Sequence, residues 1–166
     1  MIERATRKPL RWAVTSFQAL RRALWFFSRP ETLGAHALAL TPEGRLVLVR
    51  LRYARGWRLP GGGRGPDEDP QSAALRELEE EIGMIRHGRV ELVGEIDHEP
   101  DFKRDSAAIV IVRDVEYRPR WSLEVEAVTE ADPDALPEDL SERTREWIGL
   151  AMPRLLPRGE TGTNPG

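Results

Sequence analysis

The sequence predicts a layered α/β domain, and three observations carry that prediction. Apolar runs of strand length, GAHALAL (34–40), RLVLVRL (45–51), RVELVGEI (89–96) and AAIVIVRDVEY (107–117), lie before and after a segment with helical punctuation at residues 69–83. A second helical pattern closes the apolar part of the chain at 139–152. The length of 166 residues, with 40% apolar and 32% charged residues, suits one domain with a real core.

The elements follow in order. Residues 9–28 read as an amphipathic helix, because Leu10, Val14, Phe17, Leu20, Leu24 and Phe27 recur at three- and four-residue spacing and Pro30 closes the segment. Arg21 and Arg22 interrupt any apolar stretch that a signal peptide would need. Thr41-Pro42-Glu43-Gly44 are turn residues between the first two strands. A weaker strand is expected around LEVEAV (123–128), and Ser141 is a candidate cap for the last helix. The stretch from Pro157 to Gly166 has the Gly, Pro and Thr content of a disordered tail. No run approaches the length of a membrane-spanning helix. The net charge of −3 selects no partner class, and the absence of cysteine excludes disulfides and thiolate metal sites. A reducing, cytoplasmic setting is the expectation.

The informative segment is RLPGGGRGPDEDPQSAALRELEEEIGM, starting at Arg58. Asp69 is placed to cap a helix, Pro70 to start it and Gly83 to end it. Its last two turns nevertheless hold Glu77, Glu79, Glu80 and Glu81, where carboxylates oppose the helix dipole and repel one another. At about 100° per residue, Glu77, Glu80 and Glu81 share one face, Leu75, Leu78 and Ile82 form the core stripe, and Glu79 points away. Arg76 precedes Glu80 by one turn and can orient it. Three converging carboxylates suit a hard divalent cation such as Mg²⁺. Gly61-Gly62-Gly63 would let a main-chain carbonyl approach the same ion, and Glu68 is placed to hold a water or a supporting partner. A solvated acidic face is the bland alternative, and the glycines and the arginine argue against it.

Gly62, Glu68 and the run Arg76-Glu77-Leu78-Glu79-Glu80-Glu81-Ile82-Gly83-Met84 together resemble the Nudix box at every defined position. Trp57 and Leu59-Pro60-Gly61-Gly62 just upstream also look like this family, and the strand order extends the resemblance over residues 33–152. The resemblance implies a three-layer α/β/α sandwich around a mixed β-sheet, with residues 31–156 as the domain; the basic helix at 1–30 and the tail at 157–166 lie outside it. It implies hydrolysis of a nucleoside diphosphate linked to another moiety, with Mg²⁺ or Mn²⁺ as cofactor and a nucleotide derivative as substrate. By position, Glu77, Glu80, Glu81 and the Gly61 carbonyl look like metal ligands, and Glu68 and Arg76 look like residues that orient them. The family often uses one more glutamate outside the box. LEVEAVTEADPDALP (123–137) is similar to the region that carries it, which points to Glu124, with Glu126 and Glu99 behind it, although Glu130 stands where an aromatic is usual.

Substrate contacts are expected from Arg50, Arg52 and Arg58, with Arg55 nearby, since alternate strand positions share a face. The loop HEPDFKRD (98–105) offers Phe102 for stacking and Lys103 and Arg104 for phosphate, while His98 alone is an ordinary surface histidine and Pro100 an ordinary loop proline. A rival reading is a catalytically silent Nudix-fold module that binds a nucleotide as a sensor, and a third is a membrane-associated scaffold. The sensor reading is weakened because every box glutamate is present.

The N-terminal helix is basic, with Arg4, Arg7, Lys8, Arg11, Arg21, Arg22 and Arg29 facing Glu3 alone. Its apolar stripe needs cover. Docking on the domain or across a two-fold homodimer is the first expectation, an anionic membrane surface the second and nucleic acid the third, with no obligate nucleic-acid partner. Deleting residues 1–30 should therefore lower the melting temperature or dissociate a dimer. Unchanged stability and oligomeric state with lost binding to anionic vesicles would move the helix to the membrane.

Overall fold

A computed structural model describes residues 32–98 and 105–155. The expected helix at 9–28, the loop residues Glu99, Pro100, Phe102, Lys103 and Arg104, and the tail lie outside the described residues.

The chain order is β1 (Thr32–Ala39), β2 (Leu46–Leu51), β3 (Trp57–Arg58), β4 (Gly61–Gly63), α1 (Pro70–Glu81), β5 (Met84–Arg86), β6 (Val90–His98), β7 (Asp105–Val112), β8 (Glu116–Tyr117), β9 (Val125–Ala131) and α2 (Glu142–Leu155). The β layer has a four-stranded part in the order β4-β1-β7-β6 and a three-stranded part in the order β3-β2-β9, with β5 and β8 as a separate ribbon. β1 runs parallel to β7, while β4 and β6 pair antiparallel at the two edges, so the larger sheet is mixed.

Alternation along the strands builds two unlike cores. Ala35, Ala37, Ala39, Ala108, Val110, Val112, Val47 and Val49 face one way and pack with Ala73, Ala74, Leu78 and Ile82 of α1. Leu38, Leu40, Leu46, Leu48, Ile109 and Ile111 face the other way and pack with Trp147, Ile148 and Ala151 of α2. The result is an α/β/α sandwich. The strands turn small residues toward α1 and large ones toward α2, so the acidic helix sits close to the sheet. That closeness brings its carboxylates within reach of β4.

Local chemistry explains the ends of the elements. The Asp69 carboxylate accepts from the Ser72 N–H at 2.9 Å and from its hydroxyl at 3.0 Å, with Pro70 in the first turn. Gly83, at φ 70°, stops α1, and its carbonyl accepts from the Arg118 N–H at 3.0 Å. Gly44, at φ 79°, closes the turn between β1 and β2 through its N–H on the Thr41 carbonyl at 2.8 Å. Ser141 precedes α2, and its Oγ donates to Thr144 Oγ1 at 2.8 Å. The apolar run expected as one strand over 107–117 is divided, because Asp114 takes φ 55° and turns Glu116–Tyr117 onto β5. Among the described residues, no helix is long and apolar enough to cross a membrane.

Leu78 is fully buried between α1 and the sheet, whereas Leu75 is only partly covered. Leu78→Ala should cost about 2–5 kcal/mol in urea unfolding, and Leu75→Ala clearly less. Equal costs would contradict the packing of α1.

Candidate active site

The site is built where β4 meets the second half of α1. Gly61 pairs with His36 across β1 and β4, at φ 154°. A Cβ there would stand 2.4 Å from the Ala35 carbonyl and 2.6 Å from His36 Nδ1, so only glycine fits. His36 in turn stacks on Trp147 of α2, ring centroids 4.4 Å apart, which props the strand from the opposite layer. The Gly61 N–H donates to Glu81 Oε2 at 2.9 Å. At Gly62 a Cβ would meet the Glu77 carboxyl at 2.8 Å. The glycine backbone thus lies directly against two box carboxylates.

Arg76 organises the other side. Its Nε donates to Glu68 Oε1 at 2.9 Å, its Nη2 to the Gly63 carbonyl at 2.9 Å, and its Nη1 to Glu77 Oε1 at 2.5 Å. Glu80 lies 3.8 Å from the same guanidinium. Glu68 is held further by the Gly65 N–H at 2.9 Å. Arg64 reaches from β4's end to Glu95 at 2.7 Å, which fastens the Gly-rich loop to β6. One guanidinium therefore spans loop, helix and strand, a geometry that needs the planar fork of arginine.

The electrostatics are one-sided. Burial pushes Glu81 well above the usual carboxylate range, and the charges of Glu77, Glu124 and Glu80 push the same way, while the Gly61 N–H opposes. Glu77 is raised by burial and by Glu80 and Glu124, with Arg76 opposing. Glu124, just before β9, is raised by burial and by Glu80. Burial alone would lower the Arg76 pKa, but the hydrogen bonds and charges of Glu68 and Glu77 raise it. These glutamates feel one another's charge, and of Glu77, Glu81 and Glu124 it is Glu77 that Arg76 bonds among the described residues.

Among the described residues no three carboxylates stand together as a closed ligand set. Glu77 is turned onto Arg76, and Glu81 onto the Gly61 N–H. The donor chemistry still fits a hard cation: all-oxygen ligands, buried carboxyls whose charged forms burial and one another's charge disfavour without a cation, and a glycine backbone pressed against Glu77.

The remaining expected residues separate. Glu79 is exposed and falls outside the cluster, as is Glu126. Arg50 is committed elsewhere: it pairs with Asp139 and lies 4.3 Å over the Trp57 ring. A register shift between Arg50 and Leu51 breaks the alternation that would have put Arg50 and Arg52 on one face. Arg52 donates its N–H to the Glu124 carbonyl at 2.9 Å and leaves its side chain exposed. Arg58 is half-buried, and its Nε has no hydrogen-bond partner among the described residues. Tyr53 was not anticipated. It is 62% exposed, yet its hydroxyl is pushed up to about 12 by partial desolvation and by the fields of Glu124, Glu81 and Glu77, with Arg58 opposing. Only an aromatic within a run of arginines marked it in sequence.

A family model described as the NUDIX domain matches residues 30–161. The chain belongs to the NUDIX domain family. This NUDIX chain is 42% identical over 91 residues to an RNA pyrophosphohydrolase of Acidiphilium cryptum, covering 50% of the chain and 54% of that protein. It is 37% identical over 67 residues to diphosphoinositol polyphosphate phosphohydrolase 3-alpha of Mus musculus, covering 40% of each. The chain spans about half or less of the length of the curated relatives it matches. Among solved structures, the MutT NUDIX hydrolase from Burkholderia pseudomallei is 28% identical, with a TM-score of 0.61 over 72% of the chain and 97% of that protein. The NUDIX domain of Shewanella oneidensis NrtR, solved with ADP ribose, shares the fold at 17% identity and a TM-score of 0.61, over 76% of the chain and 89% of that domain.

Arg76→Lys keeps the charge but loses the fork that joins Glu68, Glu77 and the Gly63 carbonyl. It should destabilise the NUDIX domain by about 1–3 kcal/mol in chemical unfolding. A wild-type midpoint would show that charge alone, not the fork, holds the loop.

Proposed function

We propose that the chain is a Mg²⁺-dependent pyrophosphohydrolase that cleaves a nucleoside diphosphate linked to another moiety by attack of water on phosphorus. The observation that carries this reading is the trio Glu77, Glu81 and Glu124, each raised by burial and by neighbouring carboxylates that include the exposed Glu80, with Glu77 and Glu81 against a glycine backbone. The family, and the pyrophosphate and phosphate hydrolases among its relatives, support the same reaction class. A nucleotide substrate and a chain without cysteine suit the cytoplasm.

Glu77, Glu80, Glu81 and the Gly61 carbonyl are the groups that would hold Mg²⁺, with Mn²⁺ as a substitute. When bound, the ion supplies charge neutralisation at the pyrophosphate and acidifies a water. Arg76 and Glu68 hold Glu77 in place, and the Gly61 N–H does the same for Glu81. Glu124 is the carboxylate of this group that no guanidinium or N–H holds among the described residues, and it takes the proton from the attacking water. Arg58 and Arg52 lie on the segment leading into the Gly-rich loop and bind substrate phosphates.

Incubating the full chain with a panel of nucleotides and Mg²⁺ in ¹⁸O-labelled water, with product masses read out, tests the reaction and reports which phosphorus is attacked. No turnover with Mg²⁺ or Mn²⁺ would favour a nucleotide-binding sensor. Glu80→Gln and Glu81→Gln should each lower kcat/KM by about 10²–10³, the loss expected for one electrostatic stabiliser, and Glu79→Gln should lower it far less. The Glu81→Gln protein should fold, with an equal or higher melting temperature in metal-free buffer at pH 7, because its amide still accepts from the Gly61 N–H without a buried charge. Equal kinetic losses for Glu79 and Glu81 would contradict the site.

A further inference from the structure

An apolar groove lies away from the carboxylates, between the edge strand β6 and α2. Val93, Gly94, Ile96, Ile109, Leu150 and Arg154 line about 270 Å³ of open space there. The register of β6 on β7 shifts between Leu92 and Gly94, and Gly94 brings no side chain to the wall. A Cβ at Gly94 would meet nothing within 4 Å. Val93 and Ile96 are only partly covered by the core on the α2 side, and Leu150 is 53% exposed. One end of the groove is shut. Arg154 Nη1 donates to the Leu92 carbonyl at 3.0 Å, and the Arg154 carbonyl accepts from Arg113 Nη2 at 2.7 Å.

The other end points to where the chain enters the sheet. Across β6, β7 and β1 the register joins Gly94, Ile109 and His36 in one row, Ile96, Ala107 and Gly34 in the next, and His98, Asp105 and Thr32 in the last. Thr32 therefore lies one row beyond Ile96 and two strands across. At about 3.4 Å per residue and about 4.8 Å per strand, their backbones are roughly 12 Å apart. The link from Phe27 to Thr32 extends to roughly 17 Å, so the stripe that ends at Phe27 can reach the groove. A dry cavity of about 150 Å³ holds one benzene ring, so this groove takes roughly two large apolar side chains.

We propose that residues 9–28 of this same chain dock in the groove, with Leu24 and Phe27 of their apolar stripe against Val93, Ile96 and Leu150. The stripe needs an apolar wall, and the groove is an apolar wall that needs cover. Seven cations against Glu3 alone in residues 1–30, in a chain of net charge −3, leave the rest of the chain acidic, so the segment and the domain attract. The short link decides between this segment and that of a second copy. It holds the stripe at an effective concentration on the order of millimolar, above what a second molecule reaches in dilute solution.

The chain has no cysteine, so an introduced pair reports contact without background. In the full chain, disulfide formation between Leu150→Cys and either Leu24→Cys or Phe27→Cys is timed on non-reducing gels. The reference pair is Leu150→Cys with Arg22→Cys, since Arg22 lies about 160° around the helix from Leu24 on a similar tether. The faster stripe pair should close within one chain at least about tenfold sooner than the reference, because docking raises its effective concentration. Gly94→Phe puts a ring into the groove and should slow that closure to the reference rate, while a cooperative melting transition shows that the domain is folded. Equal rates for the stripe and reference pairs overturn the proposal, as does stripe closure that a folded Gly94→Phe variant leaves unchanged. A disulfide formed between two chains assigns the groove to a second copy and overturns it. Equal rates together with binding of the full chain to phosphatidylserine vesicles assign the stripe to a membrane and overturn it too.

Discussion

The hydrogen bond from the Gly61 N–H to Glu81 joins the sheet to the acidic helix, and the geometry of the site depends on it. It exists because two constraints meet at one residue. Backbone at φ 154° with the Ala35 carbonyl and His36 pressed against it leaves no room for a side chain, so β4 can lie flat on β1. The alanines of β1 and β7 and Ala73 and Ala74 of α1 then let the helix come close enough for its last turn to reach that strand. A buried carboxylate is costly unless it is bonded. Here a main-chain donor offsets part of that cost, and a cation would offset the rest.

Arg76 explains why the acidic turns tolerate their own charge. It bonds two carboxylates and a carbonyl and lies near a third carboxylate, so the repulsion that a Glu-rich helix end would suffer is absorbed locally. Glu79 points away and needs no such partner. The same arrangement leaves Glu124 without a guanidinium or N–H on its carboxylate among the described residues.

Much of this was legible in sequence. The acidic helix declared itself through Asp69-Pro70 and Gly83, and the division of its faces followed from the helical period alone. The long strands were legible because their apolar runs are long. The short ones were not: β4 is three glycines and β3 is Trp57–Arg58, so neither carries a periodic signal, and their partners lie far away in the chain. The surroundings of Arg50 were not legible for a related reason. Its partner, Asp139, is 89 residues distant, and the irregularity at Arg50 and Leu51 has no mark in composition. Tyr53 lies near Glu124 because β2 pairs with β9, which no local pattern announces.

The account stands on the box carboxylates forming one divalent-cation site, and direct binding tests that without any substrate. Titration of Mn²⁺ into the full chain, followed by the loss of the free-ion electron spin resonance signal, should show saturable binding. Glu81→Gln should weaken it by about tenfold or more, and Glu79→Gln should leave it nearly unchanged. Absence of saturable Mn²⁺ binding, or binding indifferent to Glu81→Gln, would contradict the account.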